Sequence, residues 1–243
     1  LRGYEQLTAA LPKCQIAWTE QNRSVAESVL ALGGTVEIGS LDQPESRPIK
    51  VAADLPGDYF QVRRISLAGV TKSLDLLRPQ LSLLTFPQFD RLESIDLSDI
   101  TGLDYSFLVP IHGLQELTLS NAGLNDATLA QLPKLATLKR LVLDGNDIRG
   151  TGLTHLTGQP ELIDLSLSHP NLIDLSAENL AELKPLKRLS LAGSGLTDAG
   201  IKQLAVLTNL ESLDLRRTKV TAAGISELKK ALPDCKIESD IAP

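Results

Sequence analysis

The chain has 243 residues, 42% of them hydrophobic and 22% charged, a balance that supports a continuous buried core and excludes a disordered polypeptide. Its net charge of -6 and isoelectric point near 5.2 argue against nucleic acid as a partner, because neutralising phosphates calls for clustered Lys and Arg. The longest apolar stretches, such as Val25 to Leu32, are interrupted by charge or too short for a bilayer, and no signal-peptide pattern opens the chain, so no membrane segment is expected.

Methionine is absent even at the start, which suggests a piece of a longer protein and leaves its compartment open. Asn22-Arg23-Ser24 fits the glycosylation pattern, but one three-residue match in this length is near chance. Ser24-Val25-Ala26-Glu27 has the form of a capping box opening a helix that ends at Gly33-Gly34. Thr35 to Ile38 and Pro48 to Ala52 then alternate like two strands, joined by the polar stretch Gly39 to Arg47. This helix-plus-hairpin unit, residues 1–59, is expected to form an N-terminal cap on the remainder of the chain.

Residues 60–232 are organised by a repeat. An irregular first copy uses Val62, Ile65 and Leu67 as strand positions and carries an insertion around Leu77 to Phe89. The pattern L-x-x-L-x-L then starts at Leu92, Leu114, Leu138, Leu162, Leu186 and Leu210, at intervals of 22, 24, 24, 24 and 24 residues. The first half of each unit alternates, as at Leu189 and Leu191, and predicts a short strand. In the second half apolar residues step by three or four, which predicts a helix, with Thr197-Asp198 supplying N-cap chemistry. One strand and one helix cannot bury their apolar faces alone, so the copies must stack, with a parallel sheet on the concave side and helices on the convex side.

Residues 233–243 supply a last strand and tail, its edge blunted by Lys236, Glu238 and Asp240. Cys14 and Cys235 lie in matching phrases, Leu11-Pro12-Lys13-Cys14-Gln15-Ile16 and Leu232-Pro233-Asp234-Cys235-Lys236-Ile237. At opposite ends of a solenoid they read as buried thiols. The first phrase is either the end of a preceding array or part of the N-terminal cap.

The run Leu210-Glu-Ser-Leu213-Asp-Leu215-Arg-Arg-Thr218-Lys-Val220-Thr221-Ala-Ala-Gly224-Ile225 resembles the leucine-rich repeat. Leu196-Thr197-Asp198-Ala199-Gly200-Ile201 is similar to the L-T-D-A-G-I phrase of a bacterial variety with 24-residue units. The resemblance implies an α/β right-handed solenoid and a non-catalytic, protein-binding role in a larger bacterial protein. The N-terminal arrangement is similar to bacterial leucine-rich-repeat proteins, some of them attached to serine/threonine kinases. The asparagine usual at the ninth position occurs only as Asn146, with Ile100, Ala122, Pro170, Ser194 and Thr218 elsewhere. Ser194 and Thr218 are expected to substitute by bonding nearby backbone.

No nucleotide-binding, hydrolase, zincin or kinase motif is present, so no enzymatic activity and no cofactor are expected. His112, His155 and His169 are isolated, which does not favour a metal site; the first two fall on the outer half, and His169 at the concave rim. The third residue of each repeat forms a column, Arg64, Ser94, Glu116, Arg140, Asp164, Arg188 and Ser212, whose charges alternate from Glu116 to Arg188. That alternation serves either as a recognition stripe or as a self-neutralising cross-strand ladder. The fifth-position column, Ser66, Asp96, Thr118, Val142, Ser166, Ser190 and Asp214, is small and mostly polar. Trp18, Tyr59, Phe60, Phe86, Phe89, Tyr105 and Phe107 fill the core of the irregular part or form a contact surface near residues 71–90, and no aromatic residue occurs beyond Phe107. Arg140, Asp164, His169, Arg188, Arg216 and Arg217 are the candidate binding residues of a monomeric module with a protein partner. The alternative is a structural spacer or regulatory arm of a multidomain protein such as a kinase.

Overall fold

The computed structural model describes residues 12–39, 47–57, 60–70 and 91–241, with side chains from Asn22 onward. The expected insertion around Leu77 to Phe89, the loop before Arg47, and the side chains of Cys14 and Trp18 lie outside these residues.

Each repeat begins with a three-residue strand in which the apolar middle residue points inward and its neighbours, polar except for Val142, outward. In chain order these are the end of β3 (Gln61–Ser66), then β4 (Ser94–Asp96), β5 (Glu116–Thr118), β6 (Arg140–Val142), β7 (Asp164–Ser166), β8 (Arg188–Ser190), β9 (Ser212–Asp214) and β10 (Lys236–Glu238). From β3 to β10 all pairings are parallel and join residues at equivalent repeat positions, for example Leu141 to Leu165 and Leu165 to Leu189. Ile65, Ile95, Leu117, Leu141, Leu165, Leu189 and Leu213 are each exposed by 2% or less, and burying such a side chain stabilises the fold by about 1.5–3 kcal/mol.

The N-terminal part joins the same sheet with opposite polarity. Helix α1 (Pro12–Ala31) leads into β1 (Thr35–Gly39), which pairs antiparallel with both β2 (Arg47–Ile49) and β3. A helix and two strands were legible in the sequence, but neither the helix start nor the extent of the second strand was: that strand stops at Ile49, and Ala52 begins a 3-10 turn instead of ending a strand. Ser24 lies inside the helix, so it opens nothing, and the residues around Cys14 are helical where the matching phrase at Cys235 is turn and strand. The C-terminal stop is as expected: Gly33 takes φ +92°, and Gly33 and Gly34 donate to the carbonyls of Leu30 and Val29. Asn22 is buried and its Oδ1 accepts the Val62 amide at 3.0 Å, so it is not open to a glycan.

The other side of the stack departs from one helix per repeat. Helices α2 (Asp126–Leu129), α3 (Asp174–Leu180), α4 (Asp198–Gln203) and α5 (Ala222–Ala231) are present, but residues 105–108 and 151–158 form 3-10 turns. Thr151–Gly158 lacks a side-chain cap: Arg149-Gly150 stands where two other repeats place Asn125-Asp126 and Thr197-Asp198. Phe60, Tyr105 and Phe107 are core residues, and burial pushes the Tyr105 phenol up to about 12.

The helices are stapled to one another by aspartates. Asp174 accepts the Thr197 amide at 2.8 Å and its hydroxyl at 2.6 Å, and Asp198 treats Thr221 identically. Asp126 accepts the amides of Arg149, Gly150 and Gly152 at 2.8 to 3.1 Å. Each staple requires a glycine in the next repeat: a Cβ on Gly200 would fall on the Asp174 carboxylate, and one on Gly224 on that of Asp198. The T-D-A-G phrase is thus an inter-repeat joint as well as a cap.

Helix propensity alone would make Gly224→Ala stabilising by about 1 kcal/mol. The joint predicts a loss of about 2 kcal/mol instead, and urea denaturation of Gly224→Ala, Asp198→Ala and the double variant should show the loss shrinking once the carboxylate is gone.

Candidate binding surface

Because neighbouring strands are about 4.8 Å apart and in register, each outward side chain meets its own counterpart in the next repeat. The third-position column therefore exists as a physical row from Arg64 to Lys236. Arg64 reaches Glu37 on β1 and, past the small Ser94, Glu116 on β5, both at 3.5 Å. Glu116 is thus held by Arg64, and Arg140 turns the other way. Arg140 Nη1 and Arg188 Nε both donate to Asp164 Oδ2, at 3.0 and 2.9 Å. Asp164 is 8% exposed while the two arginine side chains are half exposed, so one nearly buried carboxylate holds two guanidinium groups at the surface.

The floor beside this triad is low. Val142, Ser166 and Ser190 are half-buried, and Ser166 Oγ donates to Asp144 at 2.7 Å, a carboxylate that also accepts the Ser168 amide. On the other flank Lys139 and Lys187 precede the two arginines; Lys187 pairs with Glu211 at 2.8 Å, and Lys139 reaches Gln115 at 3.3 Å. Lys139 also lines a groove of about 420 Å³ with Arg91, Glu93, Gln115 and Glu161. The Lys-Arg dipeptides 139–140 and 187–188 recur in the sequence, and their frame, two repeats apart, was the signal that would have found this flank.

The remaining candidates lie elsewhere. Their common location is the turn after the strand, where Gly69, Asp99, Asn121, Gly145, Gly193 and Arg217 all take φ between +52° and +73°. Glycine, asparagine and aspartate tolerate this region, whereas Arg217 holds it against steric cost. His169 does not adopt it, and the adjoining Pro170 disfavours helical backbone there. Instead its Nδ1 accepts the Asn171 amide at 3.2 Å, and Asn171 donates to Asp147, which pairs with Arg149 at 3.1 Å. This rim network of Asp147, Arg149 and Asn171 was not foreseen. His112 and His155 are exposed, as expected.

Arg216 is engaged, donating to Asp214 at 2.5 and 2.9 Å and lying 3.7 Å from Glu238. Among the described residues no carboxylate pairs with the Arg217 guanidinium, while its amide donates to Asp240. Arg216 and Arg217 therefore lie apart at the last turn, and the structure does not bring them to the triad. Of the ninth-position substitutes, Thr218 Oγ1 donates to the Leu215 carbonyl at 2.7 Å as expected, but Ser194 does not: its Oγ is buried without a partner among the described residues. Asn146 bonds the carbonyls of Leu119 and Leu143 and the amide of Leu124. Among the described residues no group of three or more His, Cys, Asp or Glu is placed to hold a metal ion, and no helix is long and apolar enough to cross a membrane. Cys235 is a buried free thiol, pushed up by desolvation.

Several surface carboxylates are held below their ordinary values. Hydrogen bonds from Arg216 lower Asp214, those from Thr221 lower Asp198, that from Arg149 lowers Asp147, and that from Lys187 lowers Glu211. A depressed native value means stability present above the unfolded value and lost as pH falls through the folded one. The urea midpoint should therefore be level from about pH 8 to about pH 5 and decline once pH passes below the ordinary 4.5 of Glu211 and 3.8 of the aspartates. Asp214→Asn should shallow that acid limb, an effect readable by circular dichroism.

The family model described as Leucine Rich repeat matches residues 134–156 and 206–229. In fold, the chain is similar to the crystal structure of internalin C2 from Listeria monocytogenes, with 19% identity and a TM-score of 0.53 over 92% of this chain and 85% of that one. It is also similar to human trophoblast glycoprotein, also called Wnt-activated inhibitory factor 1, with 22% identity and a TM-score of 0.51 over 63% of this chain and 61% of that one. An LRR protein of Leptospira interrogans aligns at 22% identity and a TM-score of 0.43 over 63% of this chain and 44% of that one. The chain thus spans less than two thirds of the latter two proteins. No curated protein matches it in sequence.

Proposed function

We propose that this chain, a leucine-rich-repeat protein with an α/β solenoid fold, is a non-catalytic recognition module whose strand face receives a protein partner. Leucine-rich repeats typically serve protein–protein interaction, and the surface favours that use over chemistry. The observation that carries the reading is the open strand face itself: a floor of small residues at Val142, Ser166 and Ser190, bordered by arginines that a nearly buried carboxylate holds in place. A surface fixed before binding loses little side-chain entropy when a partner docks. The residues assigned to it are Arg140, Asp164 and Arg188 at the centre, His169 on the rim and Arg216 with Arg217 at the far turn. Residues 1–59 act as the N-terminal cap of the array and residues 233–243 as its C-terminal strand and tail. Placement in a larger bacterial protein rests on the resemblance of the Leu196 to Ile201 phrase to a bacterial variety of the repeat.

A spacer or regulatory arm of a multidomain protein such as a kinase is the second reading. The closed ion pairs of Arg64 and Arg216 favour it, since charges that satisfy one another attract little else.

Affinity capture from a lysate of the source organism separates the two. Ser166→Trp combined with Ser190→Trp should reduce the captured set by about tenfold or more, an anchor-sized loss on blocking a binding face, while Lys202→Ala combined with Glu227→Ala on the helix side leaves it unchanged. Equal capture by both variants would instead support the spacer.

A further inference from the structure

Resting on the strand-face reading, we infer that the Arg140–Asp164–Arg188 triad is a carboxylate-binding site, and that its occupant is an acidic side chain on an extended segment of the partner.

The charge balance along the row singles out this place. Arg64 is matched by two carboxylates, and Arg216 by Asp214 and Glu238, with Lys236 also on Glu238. At the triad the ratio is reversed, two guanidinium groups ion-paired to one carboxylate, with Glu211 acting on Arg188 only at longer range and itself paired with Lys187. The donors are also unspent. Arg140 uses only Nη1 and Arg188 only Nε, and among the described residues nothing accepts from Arg140 Nε and Nη2 or from either Nη of Arg188. A guanidinium carries five N–H donors in a fixed fork suited to a carboxylate. Since both bound nitrogens reach one oxygen, the two forks lie within roughly 6 Å of each other at their anchored ends, a span that a single incoming carboxylate can bridge.

Asp164 acts as the positioning residue. Two arginines this close repel unless a carboxylate lies between them, and Asp164 comes from the intervening strand β7, where parallel register places it. The neighbouring fifth-position residues are small, so a peptide main chain can pass beside the forks without steric conflict. An extended polyanion is disfavoured, because Glu116 and Glu211 stand on either side and the whole chain carries a net charge of -6. The chemistry therefore fits an isolated acidic residue flanked by small ones.

Titration of the full chain with synthetic peptides tests this, read by the arginine Nε–Hε resonances in nitrogen-15 NMR and by fluorescence anisotropy. The probe is a fluorescein-labelled glycine-serine peptide with a central glutamate, compared with the same peptide bearing glutamine or phosphoserine there. The glutamate peptide should shift Arg140 and Arg188 before Arg149 and Arg216, and the glutamine peptide should not. Removing both arginines alone would strand the buried Asp164 charge, so the variant of choice is Arg140→Gln with Asp164→Asn and Arg188→Gln, which leaves no unpaired carboxylate. It should melt like the parent and bind the glutamate peptide about tenfold more weakly or worse, the scale of losing a charge-assisted bidentate contact. Equal affinity for glutamate and glutamine peptides, or undiminished binding by the triple variant, overturns the assignment. Tighter, triad-dependent binding of the phosphoserine peptide also overturns it, in favour of a phosphate. If the tryptophan pair at Ser166 and Ser190 abolishes protein capture while the triple variant does not, the strand-face reading stands and the carboxylate site falls.

Discussion

The structure depends on equivalent residues of successive repeats stacking at one strand spacing. Parallel pairing between identical positions makes each buried leucine the neighbour of another leucine, and each outward residue the neighbour of its own counterpart. The apolar consequence is the column from Ile65 to Leu213, which no repeat could bury by itself. The polar consequences are equally direct: aspartates of one repeat bond threonines of the next, Asn146 bonds backbone of its own repeat and of the preceding one, and charges in the third column are forced to meet.

That forced meeting shapes what the surface can recognise. A ladder that pairs its own charges leaves little field to attract a partner, as around Arg64, whereas the proposed recognition site falls where the pairing is unequal. Arg140, Asp164 and Arg188 are such a place, and Arg217 is another kind of exception. Its left-handed backbone, at a turn where other repeats use glycine, asparagine or aspartate, is a local cost with no ion pair of its guanidinium to offset it among the described residues.

Much of this was legible in the sequence because a fixed stride translates directly into register. The spacing of Leu138, Leu162 and Leu186 is enough to place Arg140, Asp164 and Arg188 side by side, and enough to assign the third and fifth columns. What the stride does not encode is contact between repeats on the helix side. Ser24 resembled a cap because its local pattern is correct, yet the helix runs through it. The 3-10 turn at Thr151–Gly158 breaks the one-helix-per-unit pattern that the stride implies, while the Asp198 to Thr221 and Gly224 joint appears only when two copies are superposed. Ser194, like Thr218, was expected to bond nearby backbone, but its buried hydroxyl has no acceptor among the described residues. The triad's polarity was likewise out of reach, since alternating signs do not reveal that Glu116 belongs to Arg64 and Asp164 to two arginines.

Cysteine cross-linking tests the register on which all of this rests. In a chain with Cys14 and Cys235 changed to alanine, Ser166→Cys with Ser190→Cys places thiols on adjacent strands at about 4.8 Å between Cα atoms, within the range of a disulfide. Ser166→Cys with Asp214→Cys separates them by about twice that. Mild oxidation should close the first pair and leave the second reduced. Closure of the second pair with the first left open would contradict the parallel, in-register stack.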